Sequence, residues 1–339
     1  ISSASVVLST SITAIPAQPS NLKLQTAKDD TGSSSSDGWT YNTFPTFEGT
    51  ADSRAFVEIL DYTTSTTLGT VQADDSGKWT FVMVKPGKSL GSDGRHAIRA
   101  RANYSYPATS GWSDYSDALI VILDTVSPAA PQTPVLDPSS DTGKPGDNIT
   151  TDDTPTLTVT APSDAVKVTV FLTNNSVTPA NLSFEATPQS GINIWQATTT
   201  TLATGTWTVV ATAEDRAGNR STSSPPLSLA IRPVPAQAAT PDLVASDDSG
   251  VSNTDNYTNV QKPTFTVTAP AGTTAVELFV GTTSVGAATR GTDGVTWSRT
   301  LDQPLPDGPH AITAKVTDDA GAVSPASPAL SVTIDTGKP

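Results

Sequence analysis

Aspartate is the side chain whose type and spacing could do chemistry in this chain, and it recurs at fixed offsets. Asp30-Thr31-Gly32, Asp141-Thr142-Gly143 and Asp248-Ser249-Gly250 lie about 100 residues apart. A second acidic turn follows each, at Asp37-Gly38, Asp147-Asn148 and Asp255-Asn256. Carboxylates gathered in one place repel each other unless they are protonated or share a cation. Calcium suits such a set, because it takes about six to eight oxygens from carboxylates, amides and carbonyls. The same dipeptides also form turns and cap strands, so a metal reading and a turn reading stand side by side.

Other landmarks keep the same register. Pro45-Thr46, Pro155-Thr156 and Pro263-Thr264 follow the acidic turns, and then a Trp in each block, Trp79, Trp195 and Trp297. A repeat of about 100 residues is long enough to fold alone, so the chain reads as a string of whole domains. The boundaries fall at 17–126, 127–233 and 234–339. Residues 1–16 fit the frame of a last strand, with Leu8 and Ile12 matching Leu227 and Ile231. They are expected to be the final strand of a preceding domain. Short proline-rich linkers, Ser127-Pro128-Ala129-Ala130-Pro131 and Pro233-Val234-Pro235, favour extended geometry and limit bending.

The elements that must position these aspartates are strands. Alternation of apolar and polar residues runs through Thr156–Thr160, Lys167–Phe171, Trp207–Ala211 and Ala275–Val280, a period-2 signal rich in β-branched residues. Asp75-Ser76-Gly77, Asp93-Gly94, Asp293-Gly294 and Asp307-Gly308 mark turns between them. Roughly seven short strands per repeat predict three tandem all-β, immunoglobulin-like sandwiches in an elongated rod. In such a sandwich the loop after the first strand lies at the trailing end, where the chain leaves. The loop before the last strand lies at the leading end. Stacking two domains therefore brings Asp30, Asp37 and Asp124 of domain 1 towards Glu214-Asp215-Arg216-Ala217-Gly218-Asn219 of domain 2. Four acidic side chains are expected to converge there on calcium.

The other junctions differ. Arg232 takes the place of Asp124 at the second, where it is expected to pair with Asp318 and replace the metal, while Asp141, Asp147, Asp152 and Asp153 remain able to hold an ion within domain 2. In domain 3 the equivalent candidates are Asp248, Asp255 and Asp335. At the front of domain 1, Thr13 and Tyr104 are both non-acidic, and no metal is expected. His96 and His310 occupy equivalent strand positions, where domain 2 has Trp207, and read as structural. The three repeated Trp read as core. Tyr104 to Tyr115 has the Tyr/Ser/Gly composition of recognition loops, or else contacts a preceding domain.

Composition narrows the function. Lys and Arg number 19 against 33 Asp and Glu, for a net charge of −14. That argues against nucleic acid or an anionic membrane surface as partner. It favours cations, or simply solubility. There is no cysteine, so a disulfide staple is replaced by metal or by a reducing compartment. No apolar run is long enough for membrane insertion. No nucleophile–base pair or phosphate loop is recognisable, so no enzyme activity is expected.

The Asp-(Thr/Ser)-Gly and Asp-(Gly/Asn) openings, the Pro-Thr strand, the Asp-x-Ala-Gly loop and the terminal (Leu/Ile)-Asp-Thr together resemble the bacterial immunoglobulin-like repeats of giant secreted adhesins. The resemblance covers essentially residues 17–337. It implies type I secretion, a monomeric stalk on the bacterial surface, a role in virulence, and interdomain calcium held by Asp124 and Asp215 with Asp30 and Asp37. The partners it implies are neighbouring domains of the same chain and a host glycan or receptor. Two alternatives remain: a glycan- or receptor-binding segment using the domain 1 loop, and accessory modules of a secreted polysaccharide hydrolase.

Overall fold

A computed structural model describes residues 14–25, 28–32, 34–85, 87–109 and 111–337. The expected strand at residues 1–16 falls almost wholly outside them. The described residues form strands and loops and contain no helix, so no helix is long and apolar enough to cross a membrane. Alternation decides which side chains go inward. In Lys167–Thr173, Val168, Val170 and Leu172 are buried while Lys167, Thr169, Phe171 and Thr173 face out. The buried side chains form three separate cores, one per repeat, each closed by its Trp. Trp79, Trp195 and Trp297 are all buried, as the core reading expects.

Each domain is a two-sheet sandwich. In domain 1, Thr46–Thr50 lies between Ser20–Leu24 and Lys78–Val82. The facing sheet has the order Trp39–Thr40, Leu119–Leu123, Gly94–Asn103, Phe56–Asp61, Thr66–Gln72. The two-residue strand Trp39–Thr40 runs parallel to the last strand, Trp39 opposite Ile122 and Thr40 opposite Leu123. Ile149–Thr150 and Tyr257–Thr258 do the same in domains 2 and 3. This parallel pairing fixes the acidic turns, which immediately precede it, beside the point where the chain leaves each domain.

Two devices recur in all three domains. His96 Nε2, Trp207 Nε1 and His310 Nε2 each face the carbonyl four residues back, on Ser92, Ala203 and Pro306, at 2.8–3.0 Å. His96 Nδ1 also meets the buried Asp61 Oδ2 at 2.8 Å. The histidines are therefore structural members of a common strand position. The second device is a pair of serines three apart. Ser113 and Ser116 accept the Ala102 and Ala100 N–H groups and donate to the carbonyls of the residues that follow them. Ser221 and Ser224, and Ser324 and Ser327, repeat the arrangement. The serine backbone N–H groups bond the facing carbonyls, and the hydroxyls supply the acceptors a full ladder would otherwise provide, so the buried N–H groups are not left unpaired.

Candidate functional site

The acidic turns are built alike. The residue before the first Asp of each pair tethers the Pro-Thr strand: Thr46, Thr156 and Thr264 donate their N–H groups to Asp29, Ser140 and Asp247. Pro precedes each of these Thr residues, so the Thr N–H is the first donor the strand offers. The second Asp of each pair accepts the N–H two residues on, at Trp39, Ile149 and Tyr257. The residue between is left-handed in all three, Gly38 at φ 76°, Asn148 at 59° and Asn256 at 62°. Only Gly and, next best, Asn adopt that conformation cheaply, which is why the motif reads Asp-(Gly/Asn).

The first Asp does something the turn does not explain. Asp30, Asp141 and Asp248 each receive one backbone N–H on Oδ2, from Gly38, Gly146 and Asn256. In each, the buried Oδ1 has no hydrogen-bond partner. Asp30 and Asp248 are only 8% and 6% exposed. A buried carboxylate oxygen without a donor is costly, and here it occurs at one position three times over. Burial raises the Asp30 carboxyl above its ordinary value, the Gly38 N–H opposes this, and the charge of Asp37 adds to it. Asp255, partly exposed and held by the Tyr257 and Ser252 N–H groups, is lowered. In domain 3 a surface concavity of about 460 Å³ lies against this site, with Asp255, Tyr257, Asn259 and Asp335 in its wall.

At the first junction the trailing end of domain 1 receives the loop 214–219 of domain 2. Thr31 Oγ1 donates to Ala217 O. Gly218, at φ 94°, lies against Gly32, so that a Cβ on Gly218 would stand 2.7 Å from Gly32 N. Arg216 reaches back to Asp37, Nε to Oδ2 at 2.9 Å, with its guanidinium 5.1 Å over the Trp39 ring. Asn219 Nδ2 bridges Asp124 O and Asp215 Oδ2 at 2.8 and 2.9 Å.

Of the four acidic residues expected there, Asp30 and Asp37 are neighbours. Asp215 is buried and turned onto Asn219, and the Asp124 carboxylate caps Val126 N. Among the described residues no three acidic or histidine side chains gather into a metal-holding group. The sequence assigns Arg216 and Asn219 no role, yet their side chains cross the junction. A cation inside an acidic hexapeptide was the available signal.

The second junction repeats the geometry with other side chains. Lys144 donates its N–H to Ala320 O at 2.9 Å and its Nζ to Asp319 O at 2.7 Å. Arg232 pairs with Asp319, Nη1 to Oδ1 at 2.7 Å, and not with the expected Asp318. The reason is local: Asp318 Oδ1 turns inward to accept the Ala320 and Ala322 N–H groups, leaving the next carboxylate to face domain 2. Arg232 holds the exposed Asp319 carboxyl below its ordinary value. Asp152 caps Thr154 N. Asp335 caps Gly337 N as Asp124 caps Val126 N. At the front of domain 1, Tyr104 OH and Ala17 N both donate to Asp52, so this loop meets the preceding linker.

The profile of a family described as bacterial Ig-like domain matches residues 16–125, 127–231 and 235–336. No curated protein matches the chain. Among solved structures, a tetra-tandem repeat from the extending region of a large adhesion protein is 19% identical. That match covers 93% of this chain and 74% of that one, with a TM-score of 0.25. Fibronectin(III)-like modules of Clostridium thermocellum CbhA are 18% identical over 60% of this chain and 94% of theirs, at 0.36. The BSP domain of a biofilm associated protein is 14% identical over 88% and 66%, at 0.24.

Proposed function

The chain belongs to the bacterial Ig-like domain family, and from that premise we propose that it is a stalk segment of a bacterial surface adhesin, rigidified by calcium at the trailing end of each domain. The observation that carries this reading is the buried, donorless carboxylate oxygen of Asp30, Asp141 and Asp248. Three equivalent orphans in three domains fit a cation ligand better than they fit a turn. Asp30 with Asp37, Asp141 with Asp147, and Asp248 with Asp255 are the residues that would hold it, with Asp335 in the wall of the same concavity as Asp255. Two carboxylates fall short of the about six to eight oxygens calcium takes, so carbonyls and solvent would complete the shell. Asp215 and Asp318 act one step back, holding the docking loops in shape, and Asp124 contributes through its backbone carbonyl.

A hard cation at these positions neutralises the paired carboxylates on the surface that receives the next domain. Metal binding and interdomain angle are then linked. Extracellular modules bind calcium with Kd of about 10⁻⁴–10⁻³ M. At ten times Kd a site adds about 1.4 kcal/mol, sufficient to set a hinge and small beside the stability of a domain. Low calcium inside the cell keeps the array flexible for type I export, and calcium outside stiffens it for attachment to a host or other surface. The role is mechanical rather than catalytic.

Calorimetric titration of calcium into the chelator-treated chain tests the proposal. Asp30→Asn, Asp141→Asn and Asp248→Asn keep the acceptor for the turn and remove the charge. Saturable binding in the unaltered chain that disappears in the triple variant is the expected result. Equal binding by both, or none at millimolar calcium, rejects it.

A further inference from the structure

Domain 1 carries a surface that its sister domains lack, and the paired serines allow a residue-by-residue comparison. Trp112, before the first serine, corresponds to Arg220 and Val323. Tyr115, before the second, corresponds to Ser223 and Ala326. On the neighbouring strand Arg101 corresponds to Thr212 and Lys315, and Arg99 to Val210 and Thr313. Tyr62 corresponds by strand register to Thr173 and Gly281. The same sandwich therefore forms without any of these aromatic and guanidinium groups, and the fold does not account for them.

In domain 1 they form one cluster on the outer face of the five-stranded sheet. The Arg101 guanidinium lies 4.6 Å from the Trp112 ring and 5.2 Å from the Tyr115 ring, and is neutralised by Glu58 at 2.6 Å. Tyr115 meets Tyr62 edge-on at 6.3 Å, and Arg99 stacks over Tyr62 at 5.1 Å. Tyr62 is 56% exposed. Arg99 makes no ion pair among the described residues, and its buried Nε has no acceptor. Arg95 and Arg290 also lack an ion pair among the described residues, but Arg99 is the arginine whose Nε is buried there without a hydrogen-bond partner. It is a pre-oriented partner for an incoming carboxylate.

The strands beneath the cluster, Phe56–Asp61 and Gly94–Asn103, are paired on both sides; Tyr62 follows the first, and Trp112 and Tyr115 lie on the returning segment beside the second. A peptide thus finds no free backbone edge on these two strands to extend. Recognition must use side chains on a flat face. The exposed Tyr62 ring suits the apolar C–H face of a pyranose, while the free guanidinium suits an acidic substituent. We propose that this face of domain 1 binds an acidic saccharide, with Arg99 pairing a sugar carboxylate and Tyr62 stacking on the ring beside it. The site needs no metal, and it stands or falls apart from the calcium reading.

The whole chain is titrated with sialyllactose and trigalacturonate, with lactose and maltotriose as neutral probes and a polyglutamate peptide as the acidic non-sugar. Amide chemical shifts and interferometry report binding. Acidic sugars are expected to shift residues around Tyr62, Arg99 and Trp112 in the unaltered chain. Arg99→Gln and Tyr62→Ala are each expected to weaken binding at least tenfold, and Lys315→Ala in domain 3 to leave it unchanged. Should either cluster variant unfold domain 1, the location of the shifts in the unaltered chain decides. Absence of binding, equal binding of neutral sugars, preference for polyglutamate, shifts elsewhere, or full binding by folded variants overturns the proposal.

Discussion

Replacing Gly218 by alanine adds one methyl group at a tight contact between domains 1 and 2. Two costs follow, and they separate. The first is backbone: Gly218 sits at φ 94°, where an L-residue costs roughly 1–2 kcal/mol. Gly146→Ala supplies that cost alone, because Gly146 has φ 83° and nothing within 4 Å of its Cβ position. The second cost is the junction. The new Cβ would stand 2.7 Å from Gly32 N and 2.8 Å from Gly32 Cα. Carbon contacts settle near 3.5–4.0 Å, so the domains must part by about 1 Å. The Asn219–Asp124 and Arg216–Asp37 bonds, at 2.8 and 2.9 Å, then stretch to about 3.8 Å and cease to be hydrogen bonds. Their loss removes about 1 kcal/mol for the amide and about 0–1 for the half-exposed ion pair. Because the clash is relieved by separation, domain 2 loses orientation and not its fold. The chain has no cysteine, so spin labels at Ser53→Cys and Ser190→Cys report one interdomain distance by pulsed electron resonance. Gly218→Ala is expected to broaden that distribution while Gly146→Ala leaves it narrow. A Gly218→Ala distribution matching that of Gly146→Ala would refute the reasoning that backbone contact sets this junction.

Ser221→Ala removes the acceptor of the buried Ala213 N–H and is expected to cost domain 2 about 1–3 kcal/mol in urea unfolding, more than the same change at the exposed Ser190. Arg232→Ala is expected to move the Asp319 carboxyl upward towards its ordinary 3.8, seen by carbon NMR. The pair's contribution is therefore complete above that value and fades as pH falls through the lowered one. Asp30 has the opposite sign. Its folded carboxyl is raised, so its ionisation destabilises domain 1 progressively as pH climbs from 3.8 through the raised value. In chelator at pH 7, Asp30→Asn is then expected to melt higher than the unaltered chain, and in excess calcium lower. The same order in both solutions would deny a cation at Asp30.

The repeat, the three sandwiches and the position of the acidic turns were legible because each rests on local rules. Alternation chose the buried faces of Thr156–Thr160 and Lys167–Thr173, and the left-handed turn demanded Gly38, Asn148 and Asn256. Handedness and strand parity then brought Gly32 against Gly218 and Gly143 against Gly321. Facts set by side-chain choice across a junction were not legible. Which of Asp318 and Asp319 faces Arg232 depends on which one closes its own loop. Asp215 looked free for metal, but Asn219, four residues on, takes it up. The serine pairs were hidden because serine is common in this chain and their role appears only when the returning segment lies beside Ala211 and Ala213.

The central claim is that calcium at the repeated aspartate pairs fixes the angle between domains. Small-angle scattering of the whole chain in calcium, in chelator, and with Asp30→Asn and Asp141→Asn together tests it most directly. The account predicts a longer maximum dimension and a more rigid profile in calcium, with the double variant resembling the chelated chain even when calcium is present. Superimposable profiles in all three conditions would contradict it, leaving the arginine clamps and proline linkers to hold the domains unaided.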